Sequence, residues 1–556
     1  MNAIVILLLA LVLLAIAYIC YGSWLARQWG IDPTKPTPAH TMRDGIDYIP
    51  TKAPVLMGHH FASIAGAGPI NGPIMAAVFG WVPVFLWLII GGIFIGAVHD
   101  FSSLFASVRN KGQSIGVIIQ QTLGISGKRL FIIFSWLTLV LVVAAFADIV
   151  ASTFVGFTKD GAQLTPNASA ASTSIIFVFV AIIFGLILSR ISQSTVKSCA
   201  LGIALVVLCV WLGMKFPIYL TKPVWMYIVL GYIFVASVTP VWILLQPRDF
   251  LNSFLLYAMM IMAVVGIIAS NPTISLPAFT SWEPIPGWTL FPILFITIAC
   301  GSISGFHSLI SSGTTAKQLD SEADAKPIGY GAMLIETSLA VTALIAVGVY
   351  VNGSKLTGTP PMIFANGVAN FVATVGMPRD VAYTVLILAI ASFALTSLDT
   401  ATRLGRYMFQ EFFTLDEAKG EPSALRKLLV NNYVSTAITV GFGFLLATNG
   451  YQNIWPLFGS ANQLLAALAL LGVSLWLGKV GRNNKMLFIP TAFMLFATLT
   501  ALAMSVYGNV QRFAAGTAKF ESHGLQIIFG VLLFVLAVVL AVNGAKKLME
   551  PKGSSN

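Results

Sequence analysis

The chain of 556 residues is poor in charged side chains. Asp, Glu, Lys and Arg make up only 9% of the residues, hydrophobic residues make up 57%, and the mean hydropathy is +0.88. Soluble globular domains carry about 25% charged residues. This deficit argues against a water-soluble enzyme and predicts an integral membrane protein embedded in a lipid bilayer.

The sequence also lacks a disulfide framework and a continuous basic patch. Its four cysteines all lie in apolar segments, where small buried thiols are the usual interpretation. The formal net charge is +11, but Lys and Arg are placed between apolar runs, so we expect no nucleic-acid partner. Serine-hydrolase, zinc-protease and phosphate-loop motifs are absent from the sequence, so we expect neither an enzyme nor a nucleotide-driven pump.

Fifteen apolar segments predict an all-α integral membrane protein with about fifteen transmembrane helices, because about 20 residues span a bilayer core. If the N-terminus is outside, 24 of the 31 lysines and arginines fall on the inner side and seven on the outer side. Cytoplasmic loops carry such an excess. The pattern predicts a multi-pass membrane protein with the N-terminus outside and the C-terminus in the cytoplasm. Residues 361–376 are predicted as an external loop or a re-entrant segment.

Two of the apolar segments contain residues that interrupt helices. The segment 57–80 is rich in glycine and proline around Gly68, and the segment 289–312 holds a Gly-Ser stretch around Ser302. Backbone groups that are freed at membrane depth must be buried in protein or line a cavity. A pair of interrupted helices is typical of the substrate site of a secondary transporter.

The interrupted segments are predicted helices 2 and 9, which run in opposite directions. This order predicts a LeuT/APC-like five-plus-five inverted repeat with broken helices 2 and 9, surrounded by peripheral helices. The predicted parts are a peripheral N-terminal helix at 1–28, a first five-helix repeat at 57–214, a two-helix insertion at 224–270, a second repeat at 289–478, and two C-terminal helices at 486–546.

The interruptions supply the candidate substrate site. Unwound backbone offers amides to an anion and carbonyls to a cation, and glycine lets a ligand come close to the chain. The predicted substrate contacts are Gly66, Ala67, Gly68, Ser302, Ser304 and His307. Tight crossing of helices through small residues is the alternative explanation of the same pattern.

Carboxylates inside the spans are candidates for ion coupling, since placing them there is costly. Asp148 has no basic residue near it in the sequence, so we expect an isolated carboxylate that takes up and releases a proton, and Glu336 is a second candidate. A solvated position of Asp148 in an outer vestibule is the alternative. A sodium site would instead use Thr396, Ser397 and the Ala65 carbonyl. The coupling ion is therefore H⁺ or Na⁺. Asp399 and Arg403 are spaced for an ion pair within one helix.

Four of the six histidines fall in predicted helices 2, 3 and 9, toward the same side of the membrane. The group consists of His59, His60, His99 and His307, with Asp100 at the same depth. These side chains could form structural hydrogen bonds, relay protons, contact the substrate, or hold a divalent metal ion such as Zn²⁺. Their spacing has no metal signature, and no other cofactor is expected.

Several long motifs resemble the carbon starvation protein A (CstA) family. They are residues 58–70 (GHHFASIAGAGPI), 99–101 (HDF), 301–315 (GSISGFHSLISSGTT), 397–403 (SLDTATR) and 455–463 (WPLFGSANQ). The resemblance spans roughly residues 50 to 480. It implies a bacterial inner-membrane carrier near the LeuT-type superfamily, associated with carbon or nutrient starvation. Members of the family are assigned as proton-coupled pyruvate transporters and as peptide transporters.

Together, these features predict a secondary active transporter, a cation-coupled symporter that imports a small carboxylate such as pyruvate. A di- or oligopeptide is the alternative substrate within the same family, and a channel is a third interpretation. The expected partners are a small-molecule substrate and the lipid bilayer, and the sequence sets no oligomeric state.

Overall fold

The computed structural model describes residues 1–45, 47–158, 160–188, 195–240, 243–349, 358–414, 423–517 and 520–549. The secondary structure of these residues is helical, and β-pairing among them is limited to isolated bridges such as Asn2–Thr273. The predicted all-α class is confirmed. Some basic residues of the charge count lie outside the described residues, namely Lys159, Arg190, Lys355, Lys419, Lys519 and Lys552.

The principal helices are numbered in chain order. They are α1 (Ala3–Trp29), α2 (Ala53–Ile64), α3 (Gly68–Phe79), α4 (Trp81–Arg109), α5 (Ile115–Thr153), α6 (Thr165–Leu188), α7 (Thr195–Lys215), α8 (Lys222–Val238), α9 (Leu245–Ser270), α10 (Gly305–Ile310), α11 (Ala332–Gly348), α12 (Pro360–Ala373), α13 (Arg379–Thr414), α14 (Ala424–Val430), α15 (Asn432–Ala447), α16 (Tyr451–Lys479), α17 (Phe488–Ala514) and α18 (Leu525–Met549). The loop interpretation of residues 361–376 was wrong. Pro360 and Pro361 begin α12, where a missing N–H leaves no helical bond unmade.

Within the described residues, eleven helices are long and apolar enough to cross a membrane, or thirteen if each of two bent pairs forms one span. The bent pairs are α2 with α3, at 45°, and α14 with α15, at 66°. The helix α8 is apolar but has only 17 residues. This count lies below the fifteen spans expected from the sequence.

Three long helices form the centre of the bundle. The share of residues that are buried in the most apolar stretch of the helix is 83% for α5, 89% for α13 and 94% for α16. The same share is 22% for α7 and 33% for α18. The outer helices expose large apolar side chains such as Trp211 and Val535. Such a surface suits contact with lipid, while the central helices are free to carry polar groups inward.

The first interruption separates α2 from α3. Ala65 leaves the helical conformation with φ −76° and ψ 60°, and the Gly66 N–H turns back to the Ile64 carbonyl at 2.8 Å. From α13, the Ser397 hydroxyl donates to the carbonyl of Ser63 at 3.1 Å. A buried central helix thus satisfies a backbone group that the break would otherwise leave unpaired.

The second interruption lies between residues 290 and 318. Short helical turns flank residues 302–304, which are not helical, and α10 follows them. The backbone of this segment approaches α16 closely, since a Cβ added to Gly459 would lie 2.3 Å from the Ile296 carbonyl oxygen. Glycine is therefore required at this crossing.

Side chains of α16 satisfy the backbone on both sides of the second interruption. The bonds are Trp455 Nε1 to the Thr297 carbonyl at 3.0 Å, Gln463 Nε2 to the Phe295 carbonyl at 2.7 Å, and the Phe306 N–H to Asn462 Oδ1 at 3.0 Å. Asn462 thereby caps α10 from a different helix. The motif at 455–463 is the support that holds this interruption in place.

Candidate functional site

The two interruptions meet inside the bundle. A Cβ added to Gly68 would lie 2.5 Å from both Cβ and Sγ of Cys300. One turn further along α3, a Cβ added to Gly72 would lie 2.7 Å from the Ile298 carbonyl oxygen. Glycine at Gly68 makes room for the Cys300 side chain, and glycine at Gly72 lets the two backbones touch. The expected substrate contacts of the first interruption, Gly66, Ala67 and Gly68, are all buried.

The serines of the second interruption have different surroundings. Ser302 packs against α4, where a Cβ added to Gly96 would lie 2.2 Å from the Ser302 carbonyl oxygen, and the Ser302 hydroxyl is buried without a hydrogen-bond partner. The Ser304 hydroxyl accepts from Asn462 Nδ2 at 3.0 Å. The hydroxyl of Ser302 is therefore available to a ligand, whereas that of Ser304 already supports the cap of α10.

A chain of neighbouring ionisable side chains connects α4, α10 and α11. Asp100 bonds two imidazoles, with Oδ1 2.7 Å from His99 Nδ1 and Oδ2 2.8 Å from His307 Nδ1. The other ring nitrogen of His307 lies 3.5 Å from Glu336 Oε2, which is an ion-pair distance without a hydrogen bond. All four side chains are 0% exposed. Both carboxylate oxygens of Glu336 are without a hydrogen bond.

This chain brings together residues that the sequence assigned to separate roles. His307 was expected at the substrate, Glu336 at the coupling ion, and His99 with Asp100 in a histidine group. Imidazole and carboxyl groups in hydrogen-bond contact can exchange protons, and a buried ionised carboxylate requires a proton or a cation against it. The arrangement is therefore chemically suited to holding and passing a proton.

The other two histidines of the expected group turn away from each other. His60 Nδ1 lies 2.8 Å from Thr315 Oγ1, whereas His59 Nδ1 lies 3.3 Å from Asp249 Oδ2. Neighbours on a helix point about 100° apart, which explains the divergence. Among the described residues, no group of three His, Cys, Asp or Glu side chains is arranged to hold a metal ion.

The residues expected for a sodium site do not converge. Thr396 Oγ1 accepts from Asn252 Nδ2 at 2.7 Å and from Arg248 Nη2 at 3.2 Å, on the side of α13 that faces α9. Ser397 instead donates to the backbone at the first interruption, beside Ala65. The guanidinium of Arg248 stands where a bound cation would meet Thr396.

The expected isolation of Asp148 was wrong. Lys222 Nζ lies 2.7 Å from Asp148 Oδ1, and the N–H of Tyr451 at the start of α16 donates to Asp148 Oδ2 at 2.8 Å. The lysine comes from the first turn of α8, which packs against α5. A cation supplied by a different helix cannot be read from the neighbours of Asp148 in the sequence.

The expected ion pair between Asp399 and Arg403 was also wrong. Asp399 Oδ2 is bonded by the guanidinium of Arg248 and by the Tyr232 hydroxyl, the latter at 2.9 Å. Arg403 donates instead to the carbonyl of Ala236 at 2.8 Å. Asp399 and Arg403 are four residues apart on α13, but each of them bonds groups of α8 or α9 instead of the other.

Sequence reasoning missed Arg248, Asp249 and Asn71. The first two stand in a polar stretch between apolar runs, but α9 begins at Leu245 and buries both. Asn71 is fully buried with neither amide atom bonded, and it shares a face of α3 with Gly68. A carboxamide inside an apolar, glycine-rich segment was the available signal for Asn71.

The fold is similar to that of a solved transporter. The crystal structure of the Eremococcus coleocola manganese transporter in complex with an aromatic bis-isothiourea substituted compound aligns with a TM-score of 0.51. The alignment covers 91% of this chain and 99% of that one, at 12% sequence identity. At this identity the likeness concerns the fold alone.

The sequence matches the family described as "Carbon starvation protein CstA" over residues 2–357 and 353–501. A relative in Escherichia coli (strain K12), "Peptide transporter CstA", is 34% identical over 99% of this chain and 92% of its own length. "Peptide transporter CstA" of Bacillus subtilis (strain 168) is 32% identical over 98% and 97%. "Pyruvate/proton symporter BtsT" of Escherichia coli is 32% identical over 89% and 80%. The resemblance found in the sequence is confirmed, and the chain belongs to the carbon starvation protein CstA family.

Proposed function

We propose that the protein is a proton-coupled secondary transporter that imports pyruvate or another small monocarboxylate across the bacterial cytoplasmic membrane during nutrient limitation. Family membership supports transport, and the relative named as a pyruvate/proton symporter supports the substrate and the ion. The observation that carries the proposal is the buried chain from His99 through Asp100 and His307 to Glu336, which enters the second interruption.

Glu336 holds the transported proton in this proposal. An ionised carboxylate without hydrogen bonds is costly inside a bundle, so Glu336 must be neutralised by a proton or by a protonated His307. Asp100 stabilises the protonated imidazole from its other side. We place the proton at Glu336 rather than at Asp148, because Lys222 already neutralises Asp148.

The substrate binds where the two interruptions meet. The N–H groups of Ala67 and Gly68 lie at the positive end of α3, which favours a carboxylate. The Ser302 hydroxyl and the Asn71 amide are buried without partners and supply further hydrogen bonds. The contact between Gly68 and Cys300 leaves little space, which favours a small substrate over a peptide.

Protons are favoured over sodium as the coupling ion. The sodium site would need Thr396, Ser397 and the Ala65 carbonyl around one point, but Thr396 is engaged by Arg248 and Asn252. A metal cation there would have to displace a fully buried guanidinium. Neither the histidine group nor any other set of described residues supports a resident metal.

A di- or oligopeptide is the second candidate substrate. Its support is that the Escherichia coli and Bacillus subtilis relatives are named peptide transporters. A peptide would require the interruptions to move apart, because Gly68 lies against the Cys300 side chain and Gly72 lies against the Ile298 backbone.

The inverted repeat remains part of the proposal. The bend between α2 and α3, the interruption at 302–304 and the likeness to a transporter fold support a five-helix repeat at 57–214 and a second at 289–478. Adding α8 and the interrupted segment 290–318 to thirteen spans gives fifteen. The distribution of Lys and Arg supports an outer N-terminus and a cytoplasmic C-terminus.

The direct test is uptake by proteoliposomes that contain the purified protein. With the medium more acidic than the lumen, labelled pyruvate should accumulate above its equilibrium level in sodium-free buffer, and a proton ionophore should abolish the accumulation. Excess unlabelled dipeptide should not compete. Accumulation of dipeptide in place of pyruvate would transfer the proposal to the peptide substrate, and simple equilibration would indicate a channel.

Replacing Glu336 by Gln should remove accumulation driven by the pH gradient, because the amide cannot carry the proton. Exchange of labelled for unlabelled pyruvate, which moves no net proton, should be retained. The matched control is Glu411→Gln, which removes a carboxylate paired with Lys128 at a partly exposed position and should transport as the wild type does. Full pH-driven accumulation by the Glu336 variant would clear this residue of the role.

Replacing Gly68 by Ala should slow uptake by about tenfold, because overpacking against Cys300 costs about 1–3 kcal/mol. Adding Cys300→Gly to the same chain removes the colliding atoms and should restore part of the rate. Gly231→Ala is the control, since nothing lies within 4 Å of its added Cβ. Uptake that is unaffected by Gly68→Ala, or unaided by Cys300→Gly, would contradict a substrate site at this contact.

A further inference from the structure

Arg248 lies in a shell of oxygen atoms contributed by three helices. Its side chain is 1% exposed, in the first turn of α9, and it bonds groups from α8, α9 and α13. The oxygens are Asp399 Oδ2, the Tyr232 hydroxyl, Thr396 Oγ1 at 3.2 Å and Asp249 Oδ1 at 3.3 Å. This network is separate from the chain that ends at Glu336, and the proposed transport step does not use it.

The shell has the composition of a cation site. Carboxylate, hydroxyl and amide oxygens are the ligands that hard metal cations prefer. Asp399 Oδ1 and the amide oxygen of Asn252 are buried without partners and face the same region, since Asn252 also bonds Thr396. The space that a metal ion would take is filled by a positive group of the chain itself.

The network around Arg248 extends to α2. The guanidinium lies between the carboxyl groups of Asp399 and Asp249. His59 Nδ1 lies 3.3 Å from Asp249 Oδ2. The network therefore joins the first half of the interrupted helix to α9 and α13.

We propose that the Arg248 guanidinium is a resident cation that fills a site built by Asp399, Asp249 and Thr396, and that this occupancy makes transport independent of a metal cation. Removing the side chain opens the site to a monovalent cation from solution. The expected effect on transport rests on the proposed function. The expected binding of a cation in place of the guanidinium does not.

The test uses Arg248→Ala and Arg248→Lys, with Arg379→Ala as the control. Arg379 is 48% exposed and bonds only neighbouring surface groups that are remote from the network. Thermal unfolding of the purified full-length proteins is followed in choline chloride, in sodium chloride and with millimolar guanidinium added. Pyruvate uptake by proteoliposomes is measured in the same media.

In choline chloride, Arg248→Ala should lose uptake about tenfold and unfold about 5 °C or more below the wild type, because two carboxylates are left without their cation. Sodium or guanidinium should raise its melting temperature and restore part of the uptake. Arg248→Lys should keep most of both without added cation. The wild type and Arg379→Ala should not respond to the choice of cation.

The proposal is overturned if no added cation raises the melting temperature of Arg248→Ala, or if this variant transports normally in choline chloride. If Arg248→Ala does not fold, the neutral pair Arg248→Gln with Asp399→Asn takes its place. That pair should fold without cation dependence, and failure to fold again would assign Arg248 a packing role and contradict the proposal. If the wild type takes up no pyruvate, the proposed function fails, while the melting temperatures still decide whether the site binds a cation.

Discussion

The structure depends on how the freed backbone groups of two interrupted helices are hydrogen-bonded inside an apolar bundle. Leaving one N–H or C=O group without a hydrogen bond in such surroundings destabilises the fold by on the order of several kcal/mol. The central helix α16 satisfies the second interruption through Trp455, Asn462 and Gln463, and α13 satisfies the first through Ser397. Since these partners stand on central helices, both interruptions are fixed in position and touch where Gly68 meets Cys300. The candidate site is a consequence of this support.

Two polar networks flank α2, the first half of the interrupted helix. His59 faces Asp249, which is bonded to Arg248, while His60 faces Thr315 in the segment that carries His307. A displacement of α2 would therefore break both contacts.

The sequence predicted the interruptions because Gly, Pro and Ser determine backbone behaviour locally, and it predicted the family because long motifs are preserved in order. It did not predict the partners of Asp148 and Asp399, because Lys222 and Arg248 come from helices that are distant along the chain. Helical geometry alone predicts that the side chains of the neighbours Thr396 and Ser397 point in different directions. It does not predict that the guanidinium of Arg248 lies beside Thr396. A polar start of a buried helix looks like a loop when only hydropathy is considered.

The central claim is that a small carboxylate and a proton move together through this site. The most direct measurement is the lumen pH of proteoliposomes when pyruvate is added in sodium-free medium with no imposed gradient, compared with protein-free liposomes. The account predicts that the lumen acidifies as pyruvate enters, only when the protein is present. Protein-dependent entry of pyruvate with an unchanged lumen pH would contradict it.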